Sequence, residues 1–356
     1  FTNNAKDACP KISFLRIDIE SIPKKYNDEL ESYFSELDIK KNNFFTDISN
    51  YISYETGQPT HCYEATYIET GLTLDFLNKK QEFMTLLEKK IEIDSGDLIF
   101  LNNNEEVVTL AGVIGGASSS CNKKTKSVLI ECAYFNPEFI MGKSTKYSIN
   151  SDAAHKFERN VDPNCHETIL RRFAKIVEDH ANISNIQFCS SEYNLPSKKV
   201  INLNINKISQ ILGIDIKERK CLDYLQGLGF DINKMLIHVP SYRHDISSIN
   251  DIAEEIARAI GYNNIEAKKF NIHSNKNKKI IDDSETKIKN LLVNNGFCEV
   301  VNEPFTSEYN QISIEVDNPL DASRRFLRTS LKNSLVEKLL YNERRQKDSI
   351  KLFEIS

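Results

Sequence analysis

One acid stands inside a short apolar run, and this run constrains the fold more than any other stretch of the chain. Ser127 to Tyr134 reads SVLIECAY, a length and composition that predict a packed strand. Glu131, near its centre, loses much of its hydration when the strand packs, so its carboxylate needs a partner, a proton or a polar ligand. Residue types alone favour a nearby Lys or Arg over a ligand-binding role.

The segments around this strand alternate between strand and helix. Apolar spacing predicts a strand over 12–19, a helix over 26–37 and another helix over 163–181. Residues 68–110 are expected to hold two short β elements around the polar turns IDSGD and NNNEE. A polar break near 190–199 separates this region from a second unit.

Residues 200–267 predict a compact module in which Gly213, Gly229 and Gly261 stop successive helices. Helix, helix and strand in this order suit a winged-helix-like domain. Such domains often bind DNA, but no basic recognition helix is visible, so no DNA partner is expected. A DNA-binding regulator remains only a distant alternative.

Length and composition limit the classes of protein. At 356 residues the chain should form more than one domain, since single cores seldom exceed roughly 250–300 residues. No apolar run approaches about 18 residues, so no membrane partner is expected. With a net charge of −5, any RNA contact needs a local basic patch. Scattered cysteines indicate reduced thiols in a cytoplasmic protein. Lacking an initiator Met, the chain is interpreted as an internal piece of a longer polypeptide.

Two groups of residues could belong to a site or to ordinary structure. His61 follows the turn Gly57-Gln58-Pro59, where it is either a hydrogen-bonded histidine at a loop edge or part of a pocket. Cations interleaved with aromatic residues suit a single-stranded RNA end, but they also suit a salt-bridged surface that includes Asp152 and Glu158. The candidate RNA contacts are Lys143, Lys146, Lys156 and Arg159.

Acids around the predicted helix 248–260 are a possible magnesium site, because carboxylate oxygens are the ligands that Mg²⁺ takes. At 100° per residue, Asp251, Glu254 and Glu255 point away from the apolar stripe of that helix. Glu254 and Glu255 could instead pair with Arg258 on a solvated surface. The candidate ligands are Asp245, Asp251, Glu254 and Glu255.

Four runs of the chain carry a family resemblance. They read SNYISYETGQPTHCYE at 49–64, LAGVIGG at 110–116, ECAYFNP at 131–137 and DAAHKFERNVDP at 152–163. In this order they resemble the editing domain of the bacterial phenylalanyl-tRNA synthetase beta subunits. The first run looks like that family's strand, turn and histidine segment. The likeness continues to the last residue, and 284–356 is similar to the start of the catalytic-like class II domain.

The resemblance implies a pocket that hydrolyses the ester of a misacylated tRNA. It implies that His61 lies beside the ester, as a base or as an orienting group, and that Asn50 helps to steady it. Glu131 is our candidate acceptor for the hydroxyl that distinguishes tyrosine from phenylalanine. Ser49 stands where many members have Thr, so this wall of the pocket should be looser. The other implied pocket residues are Pro59, Gly112 and Ala153.

The resemblance also implies partners and cofactors. These are an alpha subunit, tRNA(Phe) and Mg²⁺ shared with that subunit at the four acids named above. ATP would be used by the whole complex and not bound by this chain, which has neither a Walker loop nor a dinucleotide fingerprint. The predicted function is hydrolytic proofreading of Tyr mischarged on tRNA(Phe). The alternative is a non-catalytic tRNA-binding and assembly piece with a decayed pocket.

The predicted fold class is α+β, in several domains. A mixed α/β editing domain is expected over 1–195 and a small helix-rich, winged-helix-like domain over 196–267. A linker over 268–283 and the start of a class II synthetase-like antiparallel domain over 284–356 would follow.

Overall fold

The computed structural model describes residues 1–68, 71–267 and 283–356. They divide into two compact units, one before and one after the range 268–282. Apart from residue 283, the predicted linker lies outside the described residues. The α+β class is confirmed, since both units contain helices and strands.

Residues 1–195 form a helical layer, a four-stranded sheet and a five-stranded sheet. The strands are β1 (Thr2–Asn3), β2 (Lys11–Ile19), β3 (Thr60–Glu64), β4 (Leu72–Phe76), β5 (Gln81–Met84), β6 (Lys90–Ile93), β7 (Leu98–Asn102), β8 (Val107–Leu110), β9 (Ile114–Gly115), β10 (Ser127–Tyr134) and β11 (Ile183–Glu192). The helices are α1 (Asp28–Glu36), α2 (Phe44–Thr56), α3 (Pro137–Ile140), α4 (Lys143–Tyr147), α5 (Asp152–Glu158) and α6 (His166–His180).

The four-stranded sheet has the order β11-β2-β10-β3, with all neighbours antiparallel. Its two faces line separate cores. Phe14 and Tyr63 pack toward the five-stranded sheet β1-β4-β7-β8-β9, whereas Ile17 and Ile130 pack against α1, α2 and α6. Because β2 and β10 are buried on both faces, both strands are apolar along most of their length.

Two expectations for this region are wrong. Residues 49–56, expected as a strand, belong to α2, which Asn43 caps by accepting from the backbone N–H of Thr46 and which Gly57 ends at a φ of 80°. The helix forms because its apolar residues recur at helical spacing and pack on the sheet. The second error concerns residues 68–110, where β4 to β8 replace the two expected β elements.

Residues 200–262 form a small module with its own core. The predicted helices are present, and a three-stranded antiparallel sheet in the order β12-β14-β13 accompanies them. The elements are β12 (Val200–Asn202), α7 (Ile205–Leu212), α8 (Glu218–Gly227), β13 (Asp231–Asn233), β14 (Leu236–His238) and α9 (Ile249–Ile260).

The second unit contains two α-helices, a 3₁₀ helix (Ala322–Arg324) and short paired strands within its described residues. β15 and β18 pair in parallel, and β16 and β17 pair antiparallel. The Glu354 side chain, which is 2% exposed, forms an ion pair of 2.6 Å with Arg328, so this arginine has a structural role. The elements are α10 (Ser284–Asn294), β15 (Cys298–Glu299), β16 (Phe305–Thr306), β17 (Phe326–Leu327), α11 (Lys332–Glu343) and β18 (Leu352–Phe353). None of the helices in the described ranges is both long enough and apolar enough to cross a bilayer.

Candidate functional site

Glu131 and His61 are directly opposed on neighbouring strands. β10 and β3 are antiparallel, and their register pairs these two residues. Opposed residues point to the same face of a sheet, with Cβ atoms about 4.5–5.5 Å apart. This face is the one toward the five-stranded sheet, since Phe14, which lies opposite Glu131 on β2, belongs to that core. The structure therefore brings the predicted acid and histidine together.

A tyrosine, rather than a cation, holds the Glu131 carboxylate. Glu131 is 5% exposed. The Tyr63 hydroxyl donates a hydrogen bond of 2.6 Å to its Oε2 atom, and the Thr109 hydroxyl donates one of 3.1 Å to the Tyr63 oxygen. No ion pair reaches Glu131 from the described residues, so the commoner arrangement with a nearby Lys or Arg is not found. Sequence analysis missed Tyr63, although a residue two positions after His61 on a strand shares its face.

Burial dominates the electrostatics of Glu131. Loss of hydration raises its pKa to about 7, and the hydrogen bond from Tyr63 opposes that rise because it stabilises the charged form. Glu131 therefore changes between acid and carboxylate close to neutral pH. Such a group can accept a hydrogen bond from a ligand hydroxyl, and it accepts more strongly when ionised.

Packing holds the His61 ring in place. The ring stands edge-on to Tyr63, with 4.5 Å between centroids and 82° between planes. It also abuts Gly115, where an added Cβ would lie 2.4 Å from the ring Cε1 atom. The Nε2 atom is buried without a hydrogen-bond partner in the part of the chain that the structure describes. Burial lowers the pKa of His61 to about 4, so the imidazole is neutral at pH 7. A water or ligand atom reaches Nε2 only if the ring moves, because this atom is buried beside Gly115.

Ser49 and Pro59 support the start of β3. The Ser49 hydroxyl, on α2, hydrogen bonds to the carbonyl oxygen of Thr60 at 2.7 Å and to its hydroxyl at 2.8 Å. Since side chains alternate along a strand, Thr60 points toward the helical layer, away from His61. Pro59 is buried, and its carbonyl oxygen accepts a 3.0 Å bond from the Gln58 side chain. The structure thus places the Ser49 hydroxyl on the helix side of the sheet, apart from Glu131.

Asn50 and Ala153 lie on helix stripes that face each other. Asn50 is exposed on α2, one turn before Ser53, and Ala153 lies one turn before Lys156 on α5. The Lys156 ammonium donates to the Ser53 carbonyl at 2.8 Å and to its hydroxyl at 2.7 Å, which joins the two stripes. Ala153 also packs against the core that contains Tyr63. None of the hydrogen bonds or ring contacts among the described residues joins Asn50 or Ala153 to Glu131 or His61, so their place in the site remains a prediction.

Gly112 occupies a turn that only a residue without a side chain fits. Its φ is 67°, and an added Cβ would lie 2.7 Å from the Cδ1 atom of Ile140. The adjoining carbonyl of Val113 accepts a 2.5 Å bond from Ser151, the N-cap of α5. This bond fixes the Gly112 turn beside the helix that carries Ala153.

The four candidate RNA-contacting cations already have partners. Lys143 and Lys146 converge on Asp97, which is 2% exposed, and Lys146 also pairs with Asp94 at 2.9 Å. Lys156 pairs with Asp152 at 3.1 Å. The Arg159 side chain is 61% exposed and lies 4.0 Å from a Glu158 oxygen. Arg159 is therefore the most available of the four to a phosphate.

Three of the four candidate magnesium ligands are engaged by other groups, and the fourth, Glu254, is exposed. Asp251 accepts from the backbone N–H groups of Ser247 and Ser248, as part of the N-cap of α9. Arg243 pairs with Asp245 at 2.6 Å and with Glu255 at 2.8 Å.

Two observations bear directly on the magnesium expectation. Glu255 was expected to point away from the apolar stripe into solvent, but it is 4% exposed because Arg243 and Arg258 neutralise it from both sides. Across residues 1–68, 71–267 and 283–356, no three His, Cys, Asp or Glu side chains are gathered in a way that could hold a metal ion.

Family models match three consecutive parts of the chain. A B3/4 domain matches residues 14–182, a tRNA synthetase B5 domain matches 201–262, and a phenylalanyl tRNA synthetase beta chain CLM domain matches 265–356. The first model contains every residue assigned above to the candidate pocket. The second contains the acidic helix α9.

Curated relatives resemble most of the chain. The phenylalanine–tRNA ligase beta subunit of Dickeya dadantii is 30% identical over an alignment of 326 positions, which covers 86% of this chain and 40% of that protein. The same subunit of Psychrobacter arcticus is 28% identical over an alignment of 373 positions, which covers 99% of this chain and 46% of that protein. The chain thus spans less than half the length of these relatives.

A solved N-terminal fragment of the phenylalanyl-tRNA synthetase beta subunit from Pyrococcus horikoshii also matches. It is 11% identical with a TM-score of 0.36, and the match covers 73% of this chain and 74% of that one.

Proposed function

Since the chain belongs to the family of phenylalanine–tRNA ligase beta subunits, we propose that it hydrolyses tyrosine wrongly esterified to tRNA(Phe). One observation carries the proposal. Among the residues that the structure describes, a buried carboxylate without a cationic partner shares a sheet face with a neutral histidine whose Nε2 atom lacks a hydrogen bond.

Glu131 supplies selectivity in this proposal. Tyrosine differs from phenylalanine by one hydroxyl, and a phenol can donate to the Glu131 carboxylate. A site built to hydrogen-bond such a hydroxyl rejects the analogue that lacks it by roughly 10⁴ to 10⁵, because its buried polar group is otherwise left unpaired. The apolar surroundings of Glu131 provide this penalty.

His61 orients the attacking water. Hydrolysis requires water to add to the ester carbonyl and the 3′ oxygen of the tRNA to leave with a proton, giving free tyrosine and tRNA. A histidine with a pKa of about 4 is a weak base at pH 7, so its Nε2 atom serves to hold the water. The proposal assigns Asn50 the role of donating its side-chain amide to the ester.

The partners and the metal belong to the same proposal. We expect the chain to work with an alpha subunit and tRNA(Phe) in the cytoplasm, in a complex that uses ATP. A Mg²⁺ ion does not fit the four acids as they stand, because Arg243 and the N-cap of α9 occupy three of them. Binding it would require Arg243 to move and ligands from another chain, so the proposed mechanism contains no metal step.

The test compares deacylation of Tyr-tRNA(Phe) and Phe-tRNA(Phe) by the natural complex that contains this chain. Glu131→Gln should lower the preference for the tyrosyl ester by roughly tenfold or more, because a charged acceptor is lost. His61→Ala should slow hydrolysis of both esters. Glu138→Gln, an exposed acid beyond the same strand, is the matched control and should change neither rate.

The alternative function, tRNA binding and assembly with a decayed pocket, has one observation in its favour. The His61 ring is so close to Gly115 that a water at Nε2 needs a small movement of the ring. If the unaltered complex deacylates Tyr-tRNA(Phe) no faster than the ester hydrolyses without protein, hydrolysis is excluded and the alternative stands.

A further inference from the structure

Tyr63 contacts both members of the proposed site. Its hydroxyl donates to Glu131 at 2.6 Å, and its ring stands edge-on to His61 at 4.5 Å between centroids. The side chain is fully buried, so neither contact is exchanged with bulk water. The two hydrogen bonds run in one direction, from Thr109 to Tyr63 and from Tyr63 to Glu131.

The direction of these hydrogen bonds determines which oxygen of Glu131 can still accept a hydrogen bond from a ligand. The Tyr63 oxygen accepts from Thr109, so the single Tyr63 proton is committed to the Oε2 atom of Glu131. Within the described residues, no hydrogen bond to the second oxygen, Oε1, is present. A carboxylate has acceptor capacity on both oxygens, and therefore Oε1 can receive one further donor.

We propose that Tyr63 is a positioning residue for specificity, which holds one oxygen of Glu131 so that the other is presented to the phenol of a misacylated tyrosine. This inference rests on the proposed function. The Tyr63 hydroxyl aligns the Glu131 carboxylate, which then accepts a hydrogen bond from the phenol of the tyrosyl ester. A phenylalanyl ester has no hydroxyl to donate, so it leaves this second oxygen without a hydrogen bond.

The same bond keeps Glu131 ionised at lower pH than burial alone would allow. The Tyr63 hydroxyl donates a hydrogen bond to Glu131, and a donated hydrogen bond stabilises the charged carboxylate more than the neutral acid. The neighbouring titratable groups are His61 and Tyr63 on β3, Cys9 before β2, and Cys62 and Cys132, which feel the charge through the sheet. Burial raises the pKa of Tyr63 and of these thiols and lowers the pKa of His61, so all remain neutral near pH 7.

The experiment is a double-mutant cycle on the natural complex. Tyr63→Phe removes the hydroxyl and keeps the ring against His61, Glu131→Gln removes the charge, and the double variant removes both. The readouts are the ratio of kcat/KM for Tyr-tRNA(Phe) to that for Phe-tRNA(Phe), and the pH midpoint of this ratio. Thr109→Val, which deletes the outer donor, is a milder fourth variant.

Tyr63→Phe should lower the ratio roughly tenfold and move its pH midpoint upward, as expected when a hydrogen bond to a charged group is lost. Thr109→Val should act in the same direction and by less. In the Glu131→Gln background, Tyr63→Phe should change the ratio by less than about twofold, because no carboxylate remains to be aligned.

Other outcomes are distinguishable. If the unaltered complex does not deacylate Tyr-tRNA(Phe), the proposed function fails before Tyr63 is tested. If it does, and Tyr63→Phe leaves both the ratio and the midpoint unchanged, the inference is overturned. An equal loss in both backgrounds would also overturn it, since it would show that Tyr63 supports only the fold. Should Tyr63→Phe misfold, Thr109→Val provides the same comparison.

Discussion

The imidazole of His61 packs directly on the α-carbon of Gly115, with no space between them for a methyl group. An added Cβ would lie 2.4 Å from Cε1 and 2.7 Å from Nε2. The ring is held between this glycine and Tyr63, so its position depends on the absence of a side chain at position 115.

Gly115→Ala is therefore expected to displace the His61 ring and to slow deacylation of Tyr-tRNA(Phe) by roughly tenfold or more, since misplacement by about 1 Å is costly in a catalytic site. Gly227→Ala is the matched control, because an added Cβ there meets nothing within 4 Å and the residue is helical. It should leave the rate unchanged and stabilise the fold by up to about 1 kcal/mol. Equal rates for both variants would contradict the assignment of His61.

The preference for the tyrosyl ester should rise with pH around a midpoint near 7. The pKa of Glu131 is about 7, and the ionised acceptor binds the phenol more strongly. Dividing the rate for the tyrosyl ester by that for the phenylalanyl ester removes the dependence on hydroxide that the two share. The midpoint should vanish in Glu131→Gln and persist in His61→Gln, because the pKa of His61 is about 4. If the pH midpoint is lost in His61→Gln, the midpoint belongs to the histidine and not to Glu131.

The same pKa predicts how stability changes with pH. Glu131 has a folded-state pKa raised above its ordinary value of 4.5, so its contribution is present below pH 4.5 and is lost as pH rises through about 7. Between pH 5 and pH 8, the free energy of unfolding of the unaltered chain should fall by about 2 kcal/mol relative to Glu131→Gln. Urea unfolding at both pH values measures this difference. A constant difference would show that Glu131 is already ionised at pH 5.

Arg243→Met should destabilise the small module more than Arg258→Met does. Arg243 is the main partner of Glu255, which is 4% exposed, and its loss leaves a buried charge at a cost of about 3 kcal/mol. Arg258 is 59% exposed, so its loss should cost under about 1 kcal/mol. Denaturant unfolding compares the two. Equal costs would mean that Glu255 is solvated and free to bind a metal.

Lys143 and Arg159 should respond differently when each is replaced by Gln. Lys143→Gln removes a partner of buried Asp97 and should lower stability, with little effect on tRNA affinity. Arg159→Gln should weaken tRNA binding and lower the slope of log affinity against log salt by about 1, because one phosphate contact is lost. Binding titrations at several salt concentrations measure the slope. An unchanged slope for Arg159→Gln would remove it from the interface.

Sequence reasoning located the central strand and the acid because local patterns decide both. The run from Ser127 to Tyr134 forms β10 as predicted, and Glu131 is buried in it. The helix α9 was also predicted within one residue of its start, since its apolar stripe and its Gly261 stop are local signals.

Contacts between residues far apart in the chain could not be predicted from the sequence. The helical form of residues 49–56 depends on packing against α6 and the sheet, which overrides the β-forming residues in that run. The burial of Glu255 depends on Arg243, which approaches from the loop before α9. The bond between Tyr63 and Glu131 joins residues 68 positions apart, and only the register of β3 against β10 brings them together.

That register has a consequence for any change in chain length. Side chains on β10 alternate between the two cores, so one residue inserted ahead of Glu131 within the strand would turn the acid toward the α-helices and put a neighbouring aliphatic group in its place. The face of the sheet to which Glu131 points thus depends on whether the number of inserted residues is odd or even. An even number leaves it facing the five-stranded sheet, and an odd number turns it toward the α-helices.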